Sequence, residues 1–213
     1  MTTQTIKKLR GNDLRNKVME TALDLFSESG YFNTSIHDIR RKAGVSTGAI
    51  YHHFSNKEAL AKSLYDDLLM QMDDAISQAA RLHESCYEKS GAIIAMMFEL
   101  TITKPKMVQF ILLAKHQEYL TDEPPICSSS PFKTMRQVVE EGIQNGTVRN
   151  MDPWVAATAM FGGALRMMNL QLDGVLTPEE YKKCVDVGVK GCELVYELQK
   201  KALHDKYFGN RGD

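Results

Sequence analysis

Two short runs of helix-periodic residues meet at Ala43-Gly44-Val45-Ser46, and few chain arrangements accommodate that junction. Ile36, Ile39 and Ala43 share one face of a helix that Thr34 or Ser35 can cap, and Gly44 supplies the left-handed residue that ends it. Ser46 then caps a third helix that continues to Phe54, and Val45 turns inward between the two. A preceding helix is expected over Asp13 to Ser29, with Val18, Ala22, Leu25 and Phe26 on one face and Gly30 as its stop. Ser55 and Glu58 have capping-box spacing ahead of a long fourth helix through Leu60, Leu64, Leu68 and Met72.

The remainder reads as about five more helices, with no alternating apolar pattern long enough for a strand. One is expected after Ser90, through Ile93, Ile94, Met96, Met97 and Phe98, and another from Pro105 to Tyr119. Thr121 to Pro131, rich in proline and serine, reads as a loop, and a helix follows from Phe132 to Asn145-Gly146. Asp152-Pro153 and Thr177-Pro178 each place a cap ahead of a first-turn proline and so open the last two helices. The chain is therefore expected to be all-α, with a head at residues 1–57 and a larger helical body at 58–213.

Charge separates the same two parts. The net charge is only −1, but residues 1–57 carry nine Lys and Arg against five Asp and Glu, while residues 58–213 carry seventeen against twenty-two. A basic head on an acidic body suits a protein whose one end approaches phosphate. No stretch reads as a secretory signal or reaches the length of a membrane span, so a cytoplasmic location is expected. Cys86, Cys127, Cys184 and Cys192 lack C-x-x-C spacing and are expected as reduced packing thiols.

The residues Gly30-Tyr31-Phe32-Asn33-Thr34-Ser35-Ile36, Ala43-Gly44-Val45-Ser46-Thr47-Gly48-Ala49-Ile50-Tyr51-His52-His53-Phe54 and Lys57-Glu58-Ala59-Leu60 resemble the TetR family of bacterial regulators. The resemblance is dense over residues 13–60 and loose beyond, where Glu141-Gly142-Ile143, Gly146, Asp152-Pro153 and Gly162-Gly163 carry it. It implies a dimer of all-helical subunits, a recognition helix in the major groove and a small-molecule pocket in the body.

From the residues themselves, Ser46 caps the recognition helix, whose N-terminal amides offer partial positive charge to phosphate. The small side chains of Thr47, Gly48 and Ala49 let the backbone sit deep in a groove, with Thr47 free to meet a phosphate or a base edge; tight intrachain packing is the plainer alternative for Gly48 and Ala49. Tyr51 and His52 lie about one turn on and are expected at phosphate oxygens, since Ile50 and Phe54 take the inward face. Thr34, Arg40, Arg41 and Lys57 complete the expected contact set. Arg40 stands where the family more often has alanine, which implies either altered packing on the first helix or an added phosphate contact. Lys7, Lys8 and Arg10 are expected as a tail, with a minor-groove arm as the alternative. Adjacent His52 and His53 point about 100° apart and have no third ligand at suitable spacing, so no metal is expected.

No nucleophile elbow, P-loop or dinucleotide fingerprint appears, so neither catalysis nor a cofactor is expected. Of twelve methionines, Met96, Met97, Met107, Met135, Met160, Met167 and Met168 all lie in body helices, where flexible thioethers suit a cavity for a small apolar or amphipathic effector. Met97, Phe110, His116, Phe161 and Met168 are its expected lining, with His116 as the polar handle. Ala156, Gly162, Gly163, Gly188 and Gly191 are small enough for close helix approach and are expected at a homodimer interface. These features together predict a homodimeric, ligand-responsive repressor on a palindromic DNA operator. An activator of the same fold and a helical carrier without DNA binding are the alternatives.

Overall fold

A computed structural model describes residues 11–177, 179–181 and 183, and these are helical throughout, with no strand among them. The helices are α1 (Asn12–Ser29), α2 (Ile36–Ala43), α3 (Thr47–His53), α4 (Lys57–Arg81), α5 (Cys86–Thr103), α6 (Pro105–Leu113), α7 (Ser130–Gln144) and α8 (Pro153–Leu172). Single 3-10 turns occur at His116–Glu118 and Ile126–Ser128. A further helical turn follows Thr177, whose hydroxyl accepts from the Glu180 amide while the Glu180 carboxylate accepts from the Thr177 amide.

The chain divides into two compact units. The first comprises residues up to Asp67 together with Ala114–Glu123, and the second comprises Leu68–Leu113 and the residues from Pro124 onward. In the first, Val18, Ala22 and Phe26 of α1 join Ile39, Ala43, Ile50, Phe54, Leu60 and Leu64 in one apolar core. In the second, Ile93, Ile94, Met97 and Phe98 of α5 are buried with Val108, Ile111, Val139, Phe161 and Met168 from α6, α7 and α8. Burial of such side chains contributes about 1.5–3 kcal/mol each, so cores of this size hold helices too short to be stable alone.

Caps set most boundaries, and several lie away from the expected residue. Asn56, not Ser55, caps α4, its side-chain oxygen accepting the Ala59 amide at 2.7 Å. The helix expected after Ser90 begins at Cys86, because Ser85 and Glu88 form a reciprocal capping box. Hydrogen bonds from Ser85 hold the Glu88 carboxyl below its ordinary pKa, so this cap contributes above the carboxylate range and is lost as pH falls through it. Lys104 alone separates α5 from α6, since Pro105 has no amide to continue the first helix but fits the first turn of the next. α6 ends at Leu113 rather than near Tyr119, and α7 opens at Ser130, two residues before Phe132.

One glycine marks a helix contact that no larger residue can share. A Cβ at Gly142 of α7 would lie 2.7 Å from Val148 Cγ2 and 2.8 Å from Cys86 Sγ. Gly142→Ala is therefore expected to destabilise the second unit by about 1–3 kcal/mol through overpacking, measured as a lower urea midpoint at unchanged slope. An unaltered midpoint would mean that α5 and α7 are less closely fitted than their backbones imply.

Candidate nucleic-acid interface

Ser35 starts α2 with a full capping box to Asp38, and Gly44 ends it in the left-handed region at φ 67°, with its amide on the Arg40 carbonyl. Val45 is half-buried, and its amide donates to the same oxygen at 3.2 Å. Ser46 caps α3 by accepting the Ala49 amide at 3.2 Å. The result is a short helix, a tight turn and a second short helix, with Ile39, Ala43 and Ile50 buried beneath them.

The outward face of α3 begins with exposed Thr47 and Gly48, followed by half-buried Ala49. No described heavy atom lies within 4 Å of a Cβ built at Gly48, so intrachain packing does not account for glycine there. Tyr51 is 51% exposed and His52 is exposed beside it, while Ile50 and Phe54 point inward. Thr47, Gly48 and Ala49 thus make a first turn of small side chains, with Tyr51 and His52 exposed one turn on. A turn of this kind lets a helix backbone approach a groove wall closely.

Thr34 and Lys57 are not on that surface. Thr34 is 3% exposed, and its hydroxyl donates to the Gly30 carbonyl at 2.9 Å, so its side chain closes the turn between α1 and α2. Lys57 directs its ammonium to the carbonyl oxygens of Tyr31 and Thr34, each at 2.9 Å, and lies 4.0 Å from the Tyr31 ring centroid. Burial pulls this ammonium below the ordinary lysine pKa. Two of its three donors are committed within the chain, leaving at most one for a phosphate. Tyr31, which receives Lys57, stacks on Tyr119 at 3.9 Å with ring planes 9° apart. Residue types alone gave no sign of this pairing, because Tyr31 and Tyr119 belong to distant segments.

The cations of α2 are exposed or half-buried and paired. Arg40 faces His37 Nε2 at 3.2 Å, Arg41 meets Asp38 at 2.9 Å, and Lys42 reaches Glu28 and Asp24 of α1 at 3.2 and 3.6 Å. Exposed pairs of this kind contribute about 0.2–1 kcal/mol, so an incoming phosphate can displace them. His37 is exposed beside Arg40 and joins the set; its position on the outer face of α2 was the available signal. The arm residues Lys7, Lys8 and Arg10 lie outside the described residues.

The residues expected around an effector fall in both units. Met97, Phe110 and Met168 are closely packed core side chains of the second unit. His116 belongs to the first unit, where its ring lies 4.3 Å from that of Tyr65 and its Nδ1 is 2.8 Å from the Tyr119 hydroxyl. Phe161 borders a recess of about 250 Å³ between α7 and α8. Among the small residues expected at an interface, Ala156 is buried and faces the core. Gly163 is exposed, and a Cβ there would meet no described atom within 4 Å. At Gly162 the nearest described atom is Thr158 Cγ2, at 3.7 Å. Gly188 and Gly191 lie outside the described residues. Among those residues no helix is long and apolar enough to cross a membrane, and no cluster of three metal-ligating side chains occurs.

Residues 18–64 match the family described as bacterial regulatory proteins, tetR family. A 44-residue stretch is 86% identical to an exosome complex component of Nitrosopumilus maritimus, covering 21% of this chain and 18% of that protein. The chain thus spans less than a fifth of that relative's length. The fatty acid metabolism regulator protein of Bacillus subtilis is 24% identical over 149 residues, 68% of this chain and 77% of its own. The crystal structure of the transcriptional regulator FadR from Bacillus subtilis in complex with stearoyl-CoA shares the fold, with a TM-score of 0.68 at 20% identity over 85% of this chain and 97% of that one.

Lys57→Ala should act first on the integrity of the head. Loss of two carbonyl contacts from a charged donor is expected to destabilise the first unit by about 1–3 kcal/mol, seen as faster amide exchange at the start of α4 and across α2. A variant with unchanged exchange would return Lys57 to the role of a simple surface cation.

Proposed function

We propose that this chain, whose residues 18–64 match the tetR family, is a homodimeric repressor that binds a pseudo-palindromic DNA operator and releases it on binding a small amphipathic effector. The head, residues 1–57, reads DNA, and the body, residues 58–213, binds the effector and joins the two subunits. The observation that carries this reading is the exposed first turn of α3, where Thr47, Gly48 and Ala49 present little more than backbone and where no described neighbour explains the glycine at 48. Such a surface suits entry into the major groove, with Thr47 reading a base edge or a phosphate and Tyr51, His52, Arg40 and Arg41 engaging the flanking backbone.

Dimerisation follows from the small contact surface of one head. Two heads at fixed spacing, with recognition helices about 34–36 Å apart, gain affinity that neither has alone. The open face of α8 is the proposed joint: Val155, Ala159 and Gly163 are exposed on one side of the helix and lack bulk at its centre. The solved relative in complex with stearoyl-CoA supports an acyl-type effector for this chain. Action in the cytoplasm, where operator DNA lies, completes the proposal.

A shift assay on the promoter beside the protein's own gene tests the reading as a whole; binding no tighter than to unrelated duplex at the same salt would overturn it. Thr47→Ala should relax preference at one symmetric pair of operator positions, costing about 1–3 kcal/mol if Thr47 reads a base. Loss spread evenly over all sequences would instead make Thr47 a backbone contact. Gly163→Leu tests the joint. Because no described atom would meet the new side chain, native helicity should persist while light scattering shows a monomer and operator binding becomes weak and salt-sensitive. A stable dimer that still holds its operator would move the interface elsewhere.

A further inference from the structure

The recess between α7 and α8 has one charged lining residue, Arg136, and otherwise an apolar wall that includes Phe132, Met135, Trp154, Phe161 and Leu165. Met135 and Phe161 border it and are each only 2% exposed, so they form its floor. The Arg136 side chain is 17% exposed, with its guanidinium carbon 4.1 Å from the Trp154 ring centroid and its Nε 3.4 Å from Glu140. A guanidinium resting on an indole loses less freedom when its planar N–H fork pairs with an oxyanion. Trp154 is 49% exposed and forms the rim, and the exposed thiol of Cys127 also borders the cavity.

We infer that this recess binds an amphipathic carboxylate, with its apolar tail between α7 and α8 and its head group on Arg136. The volume, about 250 Å³, lies below the roughly 300–1,000 Å³ typical of pockets for drug-sized ligands, so a slender tail fits better than a fused ring system. A second copy of this chain is a poorer occupant, because a partner helix needs an open face and this cavity has a buried floor. As the effector site of a regulator the recess rests on the function proposed above, but binding to it is measurable without DNA.

Trp154 is the only tryptophan in the chain, so intrinsic fluorescence reports on this site alone. Decanoate is expected to shift Trp154 emission saturably below about 1 mM, and to slow iodoacetamide alkylation of the Cys127 peptide followed by mass spectrometry. Decanol should bind at least about tenfold more weakly, because it lacks the charge that Arg136 pairs with. Arg136→Gln should erase that difference between decanoate and decanol, and Ala157→Leu, which fills the recess, should abolish binding of both. The inference is overturned if decyltrimethylammonium binds as well as decanoate, or if Arg136→Gln retains full decanoate preference. It is equally overturned if Trp154 emission follows protein concentration and ignores decanoate, since a second copy would then cover the recess. Should decanoate bind as described and leave operator affinity unchanged, the site stands and its role as effector site falls.

Discussion

Lys57, the first residue of α4, delivers its ammonium to the carbonyls of Tyr31 and Thr34, which lie on the turn between α1 and α2, while the Tyr31 ring lies beside it. Both carbonyls belong to a segment that has left α1 and not yet entered α2, so neither has a helical partner. α2 starts two residues after Thr34, and α3 ends four residues before Lys57. α3 is therefore bracketed in sequence by the two sides of one charged contact. Lys57 fixes the turn ahead of α2, and Ile50 seats α3 in the core, so the first turn of α3 at Thr47, Gly48 and Ala49 can stay small.

That arrangement also divides the positive charge of the head by role. Lys57 is half-buried and its donors are committed, whereas Arg40, Arg41 and Lys42 rest in water-exposed pairs with His37, Asp38, Glu28 and Asp24. The part-buried contact is costly to break, because two hydrogen bonds from a charged donor are lost with it, while the exposed pairs exchange easily with any other anion. Fixed geometry and adaptable charge thus reside in different residues of the same short segment.

Local chemistry made most of the fold legible in the sequence. Periodicity located α1 to α4, glycine at 30 and 44 located their stops, and the first-turn prolines at 105 and 153 located α6 and α8. Ser85-Cys86-Tyr87-Glu88 carries the same capping-box signal as Ser35-Ile36-His37-Asp38, yet the apolar run that follows starts later and drew the expected boundary with it. The small first turn of α3 was legible because side-chain size at consecutive positions is itself the property that matters. Thr34, Lys57 and His116 were not, since their roles depend on partners that only the folded chain supplies: Gly30 and Tyr31 across a turn, Tyr65 and Tyr119 across the sequence. Met97 and Met168 are both buried, as methionines of a core or of an enclosed cavity would be.

α8 shows how one helix can separate three demands. Ala156, Met160, Ala164 and Met168 repeat every fourth residue and are buried, forming the ridge that seats the helix on its own unit. Trp154, Thr158, Phe161 and Leu165 form the wall of the recess with Arg136. Val155, Ala159, Gly163 and Arg166 form a third line, exposed and nearly free of bulk until its last residue. Neighbouring lines on a helix are rigidly coupled, because successive residues differ by about 100° around one backbone. A guest that wedges the recess wall outward must therefore rotate or translate the open line with it. The seating ridge resists, since an i+4 row of buried side chains slides only in discrete steps. A small displacement in the recess would then appear on the open face of α8 as a change of register.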